Sequence, residues 1–391
     1  MHLFKYILLS FLLIPSFSNG QDSLCHAQIS LLTISPGEEL YSTFGHSALR
    51  VYDSVSNSDI VYNYGTFNFD EPGFYTKFIR GKLMYYLSRD NFENFIAANQ
   101  QENRTTTEQV LNLDCKEKNR LLSSLYTNME EANRSYKYDF LFDNCTTRLR
   151  DLIEKAGADS AVRFGKVLNK PRTFRNLIHE YLNNNDKQWS KLGIDILLGS
   201  KTDALMTPYQ VMFLPDYLMN VLDRSAINQR PLVSSHTSLY RIKYVDNSPS
   251  NLTHPFFIFS CFFVLICLLS FSKNNFVKNF MANFDRFFFF MAGLLGILIL
   301  FMWFGTDHIM CRNNYNLLWA WPMNAVAAFY LHIQKKWPRI YFLILAIFLL
   351  LLLGFWFLLP QLLNISLIPI VLIMIVRAFH FYFKKDIHAG N

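Results

Sequence analysis

Hydrophobic and polar residues are arranged differently in the two parts of the chain, and the change falls near residue 250. Before that point, short apolar runs alternate with turns rich in Asn, Asp and Ser, which is typical of a globular domain with strands and helices. Residues 254–383 are instead mostly Phe, Leu, Ile, Trp and Met. The pattern predicts a globular α+β domain followed by a helical membrane domain.

Five stretches of the second part approach the roughly 17–25 residues that a helix needs to cross the hydrocarbon core of a bilayer. They are residues 255–272, 287–304, 315–333, 341–359 and 362–383. The third is the weakest candidate, because Asn316, Pro322 and Asn324 interrupt it. We expect an all-α bundle of about five transmembrane helices, followed by a short tail (384–391).

The first 20 residues have the features of a secretory signal peptide. His2 and Lys5 precede an apolar run, and small residues follow it. An uncleaved first membrane helix is the alternative interpretation. Under either interpretation, the globular domain that follows is exported.

Basic residues near the apolar stretches fall almost entirely on one side of the predicted membrane domain. With the globular domain outside, nine of them lie in internal loops or at the C-terminal end, and only Arg312 lies in a short external loop. The nine are Lys273, Lys278, Arg286, Lys335, Lys336, Arg339, Arg377, Lys384 and Lys385. Because basic residues favour the cytoplasmic side, we expect a multi-pass protein of the bacterial inner membrane with a periplasmic N-terminal domain and a cytoplasmic C-terminus.

Composition narrows the class of protein further. Hydrophobic residues make up 51% of the chain and charged residues 17%. A chain this apolar is neither intrinsically disordered nor a soluble cytosolic enzyme. Its net charge of +7 does not indicate a nucleic-acid partner, because many of the basic residues flank the membrane segments.

The globular part contains several recognisable elements. Residues 48–52 and 60–64 have the pattern of two strands joined by a hairpin turn. Residues 116–133 have helical periodicity. A second helix begins after Asn144, whose residue type commonly caps helices.

The six cysteines fall into two groups. Cys261 and Cys267 lie in the first membrane stretch, where they are expected to pack as small apolar residues. The other four, which would face an oxidising compartment, are Cys25, Cys115, Cys145 and Cys311. A disulfide between Cys25 and Cys115 is plausible, but the sequence does not establish the pairing.

Cys145 and His46 are the candidate catalytic pair. Cys145 lies at a predicted helix start, where the helix dipole favours a thiolate, and His46 at a strand start would exchange a proton with it. Asn63, on the paired strand, could orient the imidazole if the register puts both on one side. Candidate contacts for an oxyanion are Ser47, Tyr138 and Asn144. The alternative is that a cysteine and a histidine 99 positions apart are half of a disulfide and an unrelated residue.

Asp307 and His308 fall in a predicted external loop at the membrane boundary. They could bind a lipid headgroup or assist proton transfer. Alternatively, they form an interfacial polar cap, with Trp319 and Trp321 as anchors. The chain has no HExxH, CxxC or EF-hand pattern, so we expect neither a metal nor a cofactor.

Several motifs occur in a fixed order: FGHSALRV at 44–51, YNYGTF at 62–67, YKYDF at 136–140 and DNCTTR at 143–148. Together they resemble the Lnb-type N-terminal periplasmic domain of Bacteroidetes, over roughly residues 25–180. In the membrane part, TDH at 306–308 and NYNLLWAWP at 314–322 resemble the signature between membrane helices in full-length members.

The resemblance implies a circularly permuted papain-like (NlpC/P60-like) fold for the outer domain (21–180), followed by an extension and linker (181–253). It implies that Cys145 and His46 carry the chemistry, and that the activity is that of the family's namesakes, the lipoprotein N-acyltransferases. A Cys thioester would then move an acyl chain from a phospholipid donor to the α-amine of a diacylglyceryl-cysteine lipoprotein.

Two other functions stay open at this point. One is a papain-like amidase or esterase that acts on peptidoglycan or lipid. The other is a non-catalytic envelope scaffold in which Cys145 is bonded to Cys115. The aromatic stretch 67–78 and the segment 209–222 could lie at the membrane interface, or could be a packed core and a linker helix.

Overall fold

The computed structural model describes residues 25–158, 162–242, 251–331 and 336–383. The predicted signal peptide, Lys335 and the tail from residue 384 lie outside the described residues. The described residues form an α+β part with an antiparallel sheet, followed by a helical part rich in apolar residues. The division predicted from the hydrophobic pattern is confirmed.

The regular elements of the described residues are numbered here in chain order. The strands are β1 (Gln28–Ile34), β2 (His46–Asp53), β3 (Ser58–Thr66), β4 (Met84–Asn91), β5 (Thr106–Leu111), β6 (Ser135–Lys137), β7 (Val162–Arg163), β8 (Ala226–Ile227), β9 (Arg230–Pro231) and β10 (Val233–Tyr240). The α-helices are α1 (Phe74–Ile79), α2 (Phe92–Gln101), α3 (Cys115–Met129), α4 (Glu131–Arg134), α5 (Cys145–Ala156), α6 (Phe174–Asn184), α7 (Gln188–Leu197), α8 (Pro215–Leu222), α9 (Pro255–Ser270), α10 (Asn275–Phe304), α11 (Met323–Ala327), α12 (Lys336–Gly354) and α13 (Ile368–Phe383).

Seven strands form one antiparallel sheet in the order β10-β5-β1-β2-β3-β4-β6. The predicted hairpin is confirmed as β2–β3, in which Leu49 pairs with Tyr62. Strand β10 comes from the segment that the sequence assigned to the extension. It pairs with β5, so part of residues 181–253 completes the main sheet.

Different helices cover the two faces of the sheet, and each face has buried apolar side chains. Helices α3, α5 and α8 pack on one face against side chains such as Leu31 and Leu49. Helix α2 packs on the other face through Phe95, against Leu32 and Ala48. Full burial of each Leu contributes about 1.5–3 kcal/mol. The sheet therefore holds α5, and the residue at its start, in a fixed position.

The two segments suggested for the membrane interface differ in burial. In 209–222, Val211, Phe213 and Leu218 are fully buried in the core. The interfacial interpretation of this segment is wrong, because these side chains face the protein interior. In 67–78, by contrast, several apolar side chains are exposed.

The helical part contains, within the described residues, three helical segments long and apolar enough to cross a membrane: α10, α12 and Ile365–Phe383, which includes α13. Helix α9 is a shorter apolar helix. The second predicted span is longer than expected, since α10 has 30 residues and a length of about 45 Å at 1.5 Å per residue.

The third predicted span, residues 315–333, is wrong as one continuous helix. It contains a 3-10 turn (Tyr315–Leu318), and α11 begins only at Met323. The buried side chain of Asn316 donates hydrogen bonds to the carbonyls of Asp195 and Ile196, at 2.9 and 3.2 Å. These contacts hold the chain in an irregular loop that docks on the α+β part.

Some basic residues counted as loop residues lie inside membrane helices. Lys278 and Arg286 belong to α10, which begins at Asn275. Arg377 belongs to α13, where its guanidinium donates two hydrogen bonds of 2.7 Å to Asp285 of α10. Both partners are buried, and such pairing is how a charged group is accommodated within a membrane domain.

A buried polar network joins the α+β part to the helical part. Asp195 of α7 accepts hydrogen bonds of 2.7 Å from Arg175 and His179, and its second oxygen accepts one of 2.9 Å from Asn364. Arg175 and Asp195 are almost completely buried. Together with Asn316, these contacts fix the position of one part against the other.

Candidate active site

Cys145 is the first residue of α5, and a capping box places it there. The side-chain oxygen of Asn144 accepts hydrogen bonds from the amides of Thr146 and Thr147, at 2.9 and 2.8 Å. The Thr147 hydroxyl accepts one of 2.8 Å from the amide of Asn144 in return. The predicted cap is confirmed. It directs the positive end of the helix dipole at the thiol.

His46, the first residue of β2, reaches the same thiol. Its Nε2 lies 3.2 Å from Oδ1 of Asn63. Because an amide oxygen only accepts, Nε2 carries the proton and Nδ1 is left for the thiol, with which the imidazole forms a hydrogen bond. Arg50 pairs with Val61, so His46 and Asn63 lie on the same side of their two strands.

The surroundings lower the pKa of the Cys145 thiol from 9.0 to about 7. Burial of this side chain, which is 9% exposed, would by itself raise the pKa. The charge of His46 and the hydrogen bonds from His46, the Ser47 amide and the Thr146 hydroxyl outweigh burial.

The pKa of His46 is raised. Burial lowers it, but the charge of the thiolate and the hydrogen bonds with Cys145 and Asn63 raise it further than burial lowers it. Both shifts favour a thiolate–imidazolium pair near neutral pH.

Gly65 keeps open the space beside the thiol. Its φ of +86° lies in the left-handed region that favours glycine. A Cβ at this position would lie 3.6 Å from Cβ of Cys145 and 3.5 Å from the ring of Tyr138. Tyr138 in turn stacks on Tyr85, with ring centroids 4.4 Å apart. Gly65 and the two tyrosines therefore form one wall of the site.

Tyr136 and Arg148 also border the site, although the sequence reasoning did not single them out. Tyr136 is buried, and its hydroxyl has no hydrogen-bond partner among the described residues. This hydroxyl lies 3.9 Å from the position of a Cβ on Gly65. The Arg148 guanidinium lies 3.5 Å from the Tyr136 ring centroid and is held by Asp143. The signal was the i, i+2 spacing of the tyrosines at 136 and 138, which puts both on one side of an extended segment.

Two of the residues expected to contact an oxyanion have other partners. The Asn144 amide donates to the carbonyls of Phe140 and Phe213, at 2.7 and 2.9 Å. The Ser47 hydroxyl bonds that of Thr146 at 3.1 Å. The backbone amide of Cys145 has no acceptor in the hydrogen bonds of the described residues, and it therefore remains available to a ligand.

Asp307 and His308 bond to structure that borders the site rather than to the thiol. The Asp307 carboxylate accepts a hydrogen bond of 2.6 Å from Lys137, and its amide donates one of 3.0 Å to the carbonyl of Arg80. Nε2 of His308 lies 3.0 Å from the carbonyl of Phe78. The two residues thus tie the loop after α10 to β6 and to the connection between β3 and β4.

Cys25 and Cys115 form a disulfide, with their Cα atoms 4.7 Å apart. Cys145 is a free, buried thiol. The arrangement in which Cys145 is bonded to Cys115 is therefore not the one adopted. Among the described residues, no three His, Cys, Asp or Glu side chains converge in a way that could hold a metal ion.

Fold and site together define a membrane protein whose extramembrane α+β domain carries a cysteine–histidine pair of the kind that nucleophilic enzymes use. Family comparison agrees with this class. The Lnb N-terminal periplasmic domain matches residues 15–180, and the Lnb transmembrane domain matches residues 247–386. The chain belongs to the Lnb family, a family of lipoprotein N-acyltransferases, and the resemblance inferred from the motifs is confirmed.

Neither the comparison with curated proteins nor the comparison with solved structures found a match.

Proposed function

We propose that this chain is a membrane-bound lipoprotein N-acyltransferase in which Cys145 carries the acyl chain as a thioester and His46 transfers the protons. The observation that carries the proposal is the buried Cys145 thiol, with a pKa of about 7, beside His46. We further propose that the outer domain is a circularly permuted papain-like (NlpC/P60-like) fold. In this proposal the membrane part consists of five transmembrane segments, and the C-terminus lies in the cytoplasm.

In the first half-reaction, the thiolate attacks the carbonyl carbon of a phospholipid ester. The C–S bond forms, and the tetrahedral intermediate collapses by breaking the ester C–O bond. The imidazolium of His46 gives its proton to the departing alkoxide, which leaves as a lysophospholipid alcohol. Asn63 keeps the imidazole ring oriented by accepting from Nε2.

In the second half-reaction, the free α-amine of a diacylglyceryl-cysteine attacks the thioester. Neutral His46 takes the proton that the amine loses, the C–N bond forms, and Cys145 leaves as a thiolate. The ester of the first half-reaction has then become an amide. Both substrates are anchored in the same leaflet, so a domain tethered to that membrane increases their encounter with the thiol.

Charge develops on the carbonyl oxygen in both half-reactions and needs hydrogen-bond donors. The amide of Cys145 at the start of α5 is one donor that we propose, supported by its lack of an acceptor in the described residues. The buried hydroxyl of Tyr136 is the second, because it has no hydrogen-bond partner in the described part of the chain and borders the same space beside Gly65 as Cys145 does. Tyr138 lines the same wall and is a further candidate.

The decisive test is mass spectrometry of lipoprotein N-termini in a bacterium that lacks its own N-acyltransferase. The unaltered chain is expected to give triacylated N-termini, and Cys145→Ala and His46→Ala only diacylated ones. Cys311→Ala is the matched control, because Cys311 is also a free, buried thiol. It should behave as the unaltered chain. We expect Tyr136→Phe to slow transfer about 100–1000-fold, the range for loss of one oxyanion donor.

Equal triacylation by all variants would contradict the assigned roles of Cys145 and His46. Free fatty acid in place of the amide product would instead favour the hydrolase. If the unaltered chain and all the variants were folded but formed neither the amide product nor free fatty acid, the scaffold function would be favoured.

A further inference from the structure

The connection between β3 and β4 (residues 67–83, called the β3–β4 connection below) exposes an apolar face. Tyr75, Phe78 and Ile79 of α1 are 74%, 51% and 47% exposed. Their i, i+3 and i+4 spacing puts them on one side of the helix. Phe74, one turn before Phe78, is buried beneath this face, and its ring stacks on that of Phe78. A contiguous patch of exposed apolar side chains is typical of a surface that binds another protein or a membrane.

Hydrogen bonds place this face next to the end of a membrane helix. The apolar helix α10 ends at Phe304. Only a few residues later, Asp307 and His308 bond to the carbonyls of Arg80 and Phe78, each at 3.0 Å. Phe78 is therefore joined directly to the first polar residues beyond a membrane helix. Exposed side chains at this level meet lipid headgroups and the upper acyl chains.

Basic residues border the apolar face. Arg80 and Lys82 are exposed at the end of α1, and Lys137 lies close by, bonded to Asp307. An apolar helical face flanked by cations is the combination that binds a phospholipid surface, because the cations meet the phosphates while the apolar groups enter the acyl region. This charge complementarity, and the direct connection to a membrane helix, identify a bilayer as the occupant.

A row of aromatic rings leads from this face to the thiol site. Consecutive ring centroids lie 4.4–6.3 Å apart along the series Phe78, Phe74, Phe67, Tyr85 and Tyr138. At its inner end, Tyr138 borders the space that Gly65 keeps open beside Cys145. The row is apolar along its length apart from two hydroxyls, which suits an acyl chain.

We propose that the β3–β4 connection inserts the exposed face of α1 into the outer leaflet of a phospholipid bilayer, and that the aromatic row guides a phospholipid acyl ester from that leaflet to Cys145. The guiding role rests on the proposed acyl transfer, whereas the insertion does not. A second protein chain on the same face is the competing occupant.

Photocrosslinking tests the insertion without reference to activity. A photoreactive phenylalanine analogue replaces Tyr75 or Phe78 in the full chain, which is reconstituted in vesicles of labelled phosphatidylethanolamine and phosphatidylglycerol. Val55 is the matched control position, since it is 73% exposed and lies in the β2–β3 turn, about 25 Å along β2 from His46 at 3.4 Å per residue. We expect lipid adducts at positions 75 and 78 and none at 55. The insertion would be overturned if positions 75 and 78 gave no lipid adducts or gave protein adducts instead. It would also be overturned if position 55 were labelled by lipid as strongly as they are.

The guiding role is tested with the triple variant Tyr75→Ser, Phe78→Ser and Ile79→Ser, with Val55→Ser as control. We expect acylation of Cys145 from vesicle phospholipid to slow at least tenfold in the triple variant only. The burst with a soluble short-chain p-nitrophenyl ester should stay unchanged, which also shows that the site is folded. Unaltered acylation from vesicles would contradict the guiding role. If the unaltered protein gave no burst, the acyl-transfer proposal would fail instead, and crosslinking would still decide the insertion.

Discussion

The reactivity of Cys145 is set by groups that lie far from it in the chain. Burial disfavours the thiolate, and the imidazole of His46 is the main group that reverses this effect. If His46 is removed, only the weaker hydrogen bonds from the Ser47 amide and the Thr146 hydroxyl oppose the effect of burial. The helix dipole alone contributes about 0.3–1 kcal/mol at an exposed helix end, which is less than the roughly 2.7 kcal/mol that corresponds to two pKa units.

We predict the pH dependence of Cys145 alkylation from these shifts. Since the pKa is lowered to about 7, the alkylation rate should fall as the pH drops through 7 and level off above it. In His46→Ala the midpoint should move above 9.0, the ordinary value, because only burial and weaker hydrogen bonds remain. The measurement is the iodoacetamide rate against pH, followed by mass spectrometry of the Cys145 peptide.

The matched control for this titration is His236→Ala. His236 is half-exposed on β10 and pairs with Asp223 at 3.3 Å, away from the thiol. Its removal should leave the midpoint near 7. A midpoint near 9 in the unaltered protein would refute the ion-pair description of the site.

Sequence could predict part of this site because the relevant signals are local. The polar run around Cys145 indicates a capped helix start by residue type alone. By contrast, the side on which Asn63 lies depends on strand register, which involves distant pairing. The position of the Tyr136 hydroxyl next to Gly65 likewise depends on packing between distant segments, which no local pattern specifies.

At the level of elements, the hydrogen bonds of one residue, Asn144, hold the start of α5 in place. Asn144 accepts two amide hydrogens at the start of the helix and donates to the carbonyls of Phe140 and Phe213. One side chain therefore connects the cap of α5 to two neighbouring segments. Stability and thiol position should both depend on it.

We predict that Asn144→Ala lowers the free energy of unfolding by about 2–4 kcal/mol, from the loss of a cap at about 1 kcal/mol and of two buried hydrogen bonds at about 0.5–1.5 kcal/mol each. It should also raise the pKa of Cys145, because the first turn is no longer fixed. Urea unfolding of the detergent-solubilised protein and the alkylation midpoint measure the two effects.

Asp114→Ala is the matched control, since Asp114 forms the same type of capping box at the start of α3. It should cost about 0.5–2 kcal/mol and leave the alkylation midpoint unchanged. If both variants shifted the midpoint equally, the cap of α5 would have no special role in tuning the thiol.

Elements with strong local periodicity, such as α3 and the β2–β3 hairpin, are predicted well because burial on one face repeats at a fixed spacing. The failure at residues 315–333 has a different cause. The hydropathy of this segment reflects its apolar residues and gives no sign of distant hydrogen-bond partners. The side chains of Asn314 and Asn316 donate to backbone carbonyls of α7, which are those of Asp195, Ile196 and Leu197. Those acceptors come from a helix more than a hundred residues away.

Across the whole molecule, the relation between the periplasmic domain and the membrane part depends on a small number of buried polar contacts. Asp195 is central, because it accepts from Arg175 and His179 on one side and from Asn364 on the other. Arg175 is fully buried, with Asp203 as its second carboxylate partner at 3.0 Å. Without Asp195, the Arg175 guanidinium therefore still has the Asp203 carboxylate as a partner, and its charge stays partly balanced.

We predict that Asp195→Ala destabilises the protein by about 3 kcal/mol, at the low end of the roughly 3–5 kcal/mol for breaking a buried ion pair. It should also increase protease cleavage between the two parts. Glu71→Ala, which removes the carboxylate partner of the partly exposed Lys77, should cost no more than about 1 kcal/mol. Thermal unfolding with limited proteolysis measures both effects, and equal losses in the two variants would argue against the network.

The pairing of Cys25 with Cys115 also has a consequence for redox chemistry. A free thiol in an oxidising compartment can be oxidised to a disulfide with a second free thiol of its own chain. Cys25 and Cys115 are bonded to each other, so neither offers a free thiol to Cys145. Apart from the two cysteines of the first membrane helix, Cys311 is the other free thiol among the described residues, and it is buried. The disulfide therefore leaves the nucleophile with few intramolecular partners for oxidation.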